Sequence, residues 1–356
     1  MRKPAALLVV LLLAAGILAA SCSSEPAPPP VEKPKVTIDP SELTAFAPLP
    51  AEVPAAGGAA TADLVALGKM LYFEPRLSKS QKISCNSCHD LATYGVDNQP
   101  TSDGHKGQLG DRNSPTVFNA AAHFVQFWDG RAADVEAQAK GPVLNPVEMA
   151  MPAEPVVVKV LESMPEYVEL FTRAFPNEKK PVTYDNMARA IGAFERKLMT
   201  PSRWDQFLKG DRTALTPEEQ AGFKTFVAVG CKTCHAGALL GGSFYQKMGV
   251  AKPFPRSEDP GRAKLTRSDA DQGVFKVPSL RNIEKTGPYF HDGKTPDLDQ
   301  AVRDMGEYQL GRPLTAEETT QITDFLKVLT GTIDPELIKP PTLPPSTAKT
   351  PKPDER

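Results

Sequence analysis

Residues 83–90 read ISCNSCHD, and residues 230–237 read GCKTCHAG. Each carries Cys-x-x-Cys-His, at Cys85, Cys88 and His89 and again at Cys231, Cys234 and His235. In this spacing two thiols can form thioethers with the vinyl groups of one haem, while the adjacent histidine reaches the iron from one face. A zinc site would have to join halves far apart in sequence. A redox dithiol pair would need a strand before it, and neither copy has one. Two copies, each placed after a helical pattern, favour covalent haem c at both.

The chain has 356 residues and five cysteines, so only Cys22 lies outside the pentapeptides. With 41 basic and 43 acidic residues it lacks the charge of a nucleic-acid binder. Arg2 and Lys3 precede the apolar run AALLVVLLLAAGILAAS, which ends at Ser21. That pattern reads as an export signal over residues 1–21 and is short for a membrane span. Cys22 follows at once, as in a bacterial lipoprotein signal, although Ala19 stands where leucine is commonest. The alternative is ordinary cleavage near Ser21 with a spare thiol at Cys22. Residues 22–60 are proline-rich and read as a tether; residues 335–356, with seven prolines, read as a loose tail.

The foldable part between them repeats one plan. Thr61 opens a helical pattern with Leu64, Leu67 and Leu71 on one face, and the first pentapeptide follows. Met187, Ile191, Phe194 and Leu198 then form the apolar face of a closing helix. Thr216 and Glu219 make a capping box before Phe223, Phe226 and Val227, and the second pentapeptide follows. Thr315 and Glu318 cap a last helix with Ile322, Phe325 and Leu329 on its face. The expected fold is mostly α, with one haem c unit over residues 61–200 and another over 201–334.

What occupies each iron's second face separates electron transfer from peroxide chemistry. Met305 precedes the last helix, where small cytochromes c carry their methionine ligand. A thioether there raises the potential. The first unit has His105 instead, flanked by Gly104 and Gly107, on what reads as a movable loop.

The stretches LGKMLYFEPRLSKSQKISCNSCHDLATYGVD, GDRNSPTVFNA, QFWDGRAADVEAQAKGPVLNPVEM, GPYFHDGK and VRDMGEYQLG, with the second pentapeptide, resemble the bacterial dihaem cytochrome c peroxidases over about residues 62–332. The resemblance implies two cytochrome c-like helical domains. It implies a low-potential, peroxidatic haem on His89 with His105 as releasable distal ligand. The high-potential haem would be held by His235 and Met305. It makes Trp128 the residue between the haems and Glu148 the distal carboxylate, with Gln138 beside it. Asn113, Thr286 and Pro288 match a calcium site, the last two through backbone carbonyls; His291 matches no assigned role. A small periplasmic electron donor would reduce the second haem, and that reduction, aided by calcium, would release His105 and admit hydrogen peroxide. The expected protein is a periplasmic lipoprotein held to a membrane through Cys22, a homodimer as family members commonly are, with no nucleic-acid partner. A related branch oxidises tryptophans in a partner protein but carries tyrosine at the Met305 position. A plain electron carrier would need neither the distal carboxylate nor a releasable ligand.

Overall fold

The computed structural model describes residues 36–55, 58–256 and 258–355. The export signal and Cys22 lie outside these. Among the described residues nine helices of six residues or more carry the fold: α1 Ala62–Tyr72, α2 Val135–Leu144, α3 Glu154–Glu162, α4 Pro165–Ala174, α5 Tyr184–Glu195, α6 Arg203–Leu208, α7 Pro217–Ala228, α8 Leu298–Asp304 and α9 Ala316–Val328. Among the described residues the only sheet is a pair of short antiparallel strands, β1 Tyr245–Lys247 and β2 Val274–Lys276, with Tyr245 opposite Lys276. The fold is mostly α, as expected.

The helix starts follow local chemistry. The Thr61 hydroxyl accepts from the Leu64 amide, and the Thr216–Glu219 and Thr315–Glu318 capping boxes both form. Two apolar clusters result. One gathers Leu67, Leu71, Met187, Ile191, Phe194 and Leu198; the other gathers Trp204, Phe223, Phe226, Ile322, Phe325 and Leu329. Each is organised by a helix crossing that only glycine permits. A side chain on Gly68 of α1 would meet the Ala190 carbonyl of α5 at 1.8 Å, and one on Gly222 of α7 would meet the Gln321 carbonyl of α9 at 2.1 Å.

Two expectations need correction. Residues 36–55, expected within the tether, pack onto the second unit. Phe46 meets Trp204 and Phe223 edge-on at 5.7 and 5.4 Å, and the Leu49 amide donates to Asp205 Oδ1 at 2.7 Å. The Gly237 amide, just past the second pentapeptide, donates to the Ala45 carbonyl at 2.8 Å. The expected loose tail is laid along the first unit. Arg76 donates to the Pro344 carbonyl at 2.7 Å and to Ser346 Oγ at 3.0 Å, and Gln81 Nε2 donates to the Pro351 carbonyl at 2.8 Å. Prolines leave carbonyls free to accept, so such segments dock wherever a donor and an apolar seat are offered. Among the described residues no helix is long and apolar enough to cross a membrane.

Candidate active site

The first pentapeptide forms a one-turn helix, Cys85–Cys88, after which His89 leaves the helical region. Two bonds fix its backbone: the His89 amide donates to the Cys85 carbonyl at 3.0 Å, and Tyr72 Oη donates to the His89 carbonyl at 2.6 Å. Tyr72 is fully buried on α1, so the helix before the pentapeptide sets the height of the histidine.

A cavity of about 480 Å³ opens beside Cys85, Cys88 and His89. Gln138, Trp128, Glu148, Asn113, Gly104 and Glu195 also line it. His89 Nδ1 is buried without a hydrogen-bond partner among the described residues. Burial keeps this imidazole neutral, against the charge of Asp97; the Pro115 and Gly95 carbonyls lie near but make no proper bond to Nδ1. All four pentapeptide thiols are unpaired. Burial raises them, Cys88 to about 11 and Cys231 to about 12, the reverse of the activated thiolate of a redox pair. Two thiols and an unbonded imidazole facing one cavity fit a covalently attached haem.

Glu148 sits on the wall with Asn145 Nδ2 donating to its Oε1 at 2.8 Å. Burial raises its carboxyl above the ordinary value, although Arg131 and Asn145 pull the other way. Glu195, at the end of α5, is 5% exposed and is raised further, to about 8, by burial and then by Glu136, with Arg196 opposing. The sequence reading missed Glu195. Its signal was a carboxylate directly after Phe194 on a helix whose face is buried.

His105 adjoins this site through its backbone. Its amide donates to the carbonyls of Val147 and Glu148 at 2.9 and 2.8 Å. A side chain on Gly104 would stand 1.9 Å from the Val147 carbonyl. Gly104 therefore serves close approach to the Glu148 segment, where the sequence suggested loop mobility. The His105 ring is buried with neither nitrogen hydrogen-bonded, and it does not line the cavity.

The second pentapeptide repeats the backbone arrangement: the His235 amide donates to the Cys231 carbonyl at 3.0 Å. His235 Nδ1 donates to the Leu240 carbonyl at 3.0 Å, which fixes the tautomer that leaves Nε2 as the ligand. Met305 opens a π-turn, Met305–Gln309, a form often found at functional positions. A side chain on Gly230, before Cys231, would come 3.7 Å from Leu310 at the end of that turn. The Met305 segment and the second pentapeptide are thus neighbours.

Asn113 joins the two units. Its amide donates to the His291 carbonyl at 2.8 Å, its carbonyl accepts from Trp128 Nε1 at 2.9 Å, and its Nδ2 donates to the Gln99 carbonyl at 3.0 Å. His291 stacks on Phe275 at 4.2 Å and meets Trp128 edge-on at 6.3 Å. Thr286 and Pro288 lie on the loop that leads to His291. No protein donor among the described residues claims their carbonyls or Asn113 Oδ1. Among the described residues no cluster of three or more His, Cys, Asp or Glu side chains could hold a metal ion. Arg112, also unforeseen, clamps the units: it donates to Asp259 at 2.6 and 2.8 Å and to Asp129 at 2.8 Å.

Residues 62–213 match the family model of the di-haem cytochrome c peroxidases. The chain is 50% identical to a cytochrome c551 peroxidase of Nitrosomonas europaea, over 82% of this chain and 86% of the relative. It is 47% identical to a cytochrome c551 peroxidase of Pseudomonas aeruginosa, over 81% and 84%. A crystal structure of a MauG-like protein associated with microbial copper homeostasis superposes with a TM-score of 0.73 at 26% identity, covering 82% of this chain and 95% of that one.

Proposed function

The chain belongs to the di-haem cytochrome c peroxidase family, and from that premise we propose that it reduces hydrogen peroxide at the first site with electrons that enter through the second. The overall change is hydrogen peroxide plus two electrons and two protons giving two waters. Bound haem would supply the redox chemistry. The chain holds it through Cys85, Cys88 and His89 in one unit and through Cys231, Cys234 and His235 in the other.

Glu148 carries the proposal. It is a partly buried carboxyl on the cavity wall, raised by burial and held by Asn145. Such a group takes a proton from one peroxide oxygen and returns it to the other as the bond breaks. Gln138 lines the same wall as a neutral hydrogen-bonding neighbour. His105 would hold the first haem closed in the oxidised enzyme and release it on reduction. Met305 would hold the other haem together with His235, and its thioether would favour a high potential there. Trp128, bonded to Asn113 at the junction of the units, lies on the electron path. Asn113 Oδ1 and the carbonyls of Thr286 and Pro288 would hold a calcium ion; all are oxygens without a protein donor among the described residues. The donor is a small periplasmic electron carrier, Cys22 is lipidated and anchors the protein to a membrane, and the protein works as a homodimer.

Glu148→Gln keeps size and removes the titratable proton. We expect both haems attached and turnover lower by ~10²–10⁴-fold in a peroxide assay with reduced donor. Turnover near that of the wild type would rule the role out.

A further inference from the structure

Lys276, the last residue of β2, is 5% exposed. Its Nζ lies 2.7 Å from His123 Nδ1 and 3.3 Å from the Val125 carbonyl. No carboxylate among the described residues pairs with it. The other groups around it are the Trp128 carbonyl, which accepts from the Lys276 amide at 2.7 Å, and Tyr245 across the ladder, itself bonded to Arg262. All are neutral or cationic. Burial alone holds the Lys276 amine down to about 7 and, with that lysine beside it, pushes His123 well below its ordinary value. An ammonium buried without an anion is costly, and buried charges are ordinarily paired.

We propose that Lys276, steadied by His123, is the cationic anchor for a propionate carboxylate of the haem carried by Cys231 and Cys234. The inference rests on the di-haem reading. Two close approaches tie the pair to the wall that carries His235. A side chain on Gly241 would come 3.4 Å from His235 Nδ1, and one on the next residue, Gly242, would come 2.9 Å from His123 Cδ2. The Gly242 amide donates to the carbonyl of Val277, the residue after Lys276, at 2.8 Å. The lysine and the histidine therefore stand one residue along from the proximal ring. A haem brings two carboxylates into this interior, and an unpaired ammonium matches one of them. Once paired, the lysine keeps its proton, and a fixed positive charge beside the haem favours the ferrous state.

The test uses the full, haem-loaded chain and the variants Lys276→Met and Lys276→Arg. Two readouts are taken: the propionate-bending bands in resonance Raman and the midpoint potential of each haem. Lys276→Met should shift a propionate band of the haem on Cys231 and Cys234 and lower that haem's potential. Lys276→Arg should keep both near the wild type, and the first haem should not change. An unchanged band and potential in loaded Lys276→Met would overturn the proposal, and so would changes confined to the first haem. Should Lys276→Met fail to load, Lys276→Gln, which keeps a polar head without the charge, decides: it must still shift the band and lower that haem's potential, and an unchanged band and potential contradict the pairing. A pyridine haemochrome count separates the two levels of the account. Fewer than two covalent haems per chain would defeat the di-haem reading, whereas two haems with an indifferent band would defeat only this anchor.

Discussion

Two carboxyls share the wall of the first cavity, and their surroundings give them different behaviour. Glu148 has Arg131 and Asn145 to stabilise its charge, so burial raises it only in part. Glu195 has only Arg196 to favour its charge, and burial, with Glu136 beside it, takes it to about 8. It is the protonated, neutral acid that sits comfortably there. A folded-state value above the unfolded one means that the folded chain holds the proton more tightly. Stability is therefore fully present below the unfolded value near 4.5 and is lost as pH rises toward 8. Glu195→Gln should remove that loss. In chemical denaturation of the loaded protein, the variant should gain on the order of 1–3 kcal/mol over the wild type at pH 8.5 relative to pH 6. Parallel curves at both pH values would mean that Glu195 ionises like an exposed carboxyl. Glu148 was legible in the sequence only through the family resemblance, which gives that position a distal carboxylate. Glu195 was not, because the last residue of an amphipathic helix ordinarily turns to water. Lys276 was hidden for another reason: a three-residue strand leaves too short an alternation to reveal which side is buried.

The helices before and after each pentapeptide were readable because their caps and apolar faces are local properties. The glycine crossings were not, since Gly68 and Gly222 owe their necessity to backbone on a distant helix. The proline-rich ends were misread because composition averages over a segment, whereas docking depends on a few anchors such as Phe46, Leu49 and Thr350. The terminal strap follows that rule. Thr350 is buried against Ser163, the Asp354 amide donates to the Lys79 carbonyl at 2.9 Å, and Glu355 pairs with Lys82 at 2.5 Å. These contacts end a few residues before Cys85, and the Glu355 carboxylate also feels the His105 ring. The exposed Lys82–Glu355 pair contributes little by itself; the backbone bonds and the buried threonine hold the strap. Removing residues 339–356 should speed amide hydrogen exchange at Lys79 to Ile83 and in the His105 loop, while the α7–α9 crossing exchanges as before. Unchanged exchange at Lys79 to Ile83 would show that the strap lies on this surface without holding it.

At the scale of the molecule, two copies of one plan do different work because their surroundings differ. The second pentapeptide carries a histidine fixed through Leu240, and Leu310, at the end of the π-turn that Met305 opens, lies beside Gly230. The first adjoins a wall with two raised carboxyls, and beside it the His105 backbone is bonded to Glu148 itself. The His105 backbone and the Glu148 segment are thereby held together. Between the copies run Arg112, bridging Asp129 and Asp259, and the chain Trp128–Asn113–His291. These contacts join the two copies to each other. The sequence, through its resemblance to a known family, carried the identity of these parts but not the bonds that couple them. The central claim is that His105 closes the first iron in the oxidised protein and that reduction of the other haem opens it. Stopped-flow mixing of the fully oxidised protein with cyanide tests it most directly, comparing the wild type with His105→Gly before and after addition of one electron per chain. The account predicts slow binding to the oxidised wild type, binding many-fold faster once one electron is added, and fast binding to His105→Gly without any reduction. Equally fast binding to oxidised wild type and variant would contradict it.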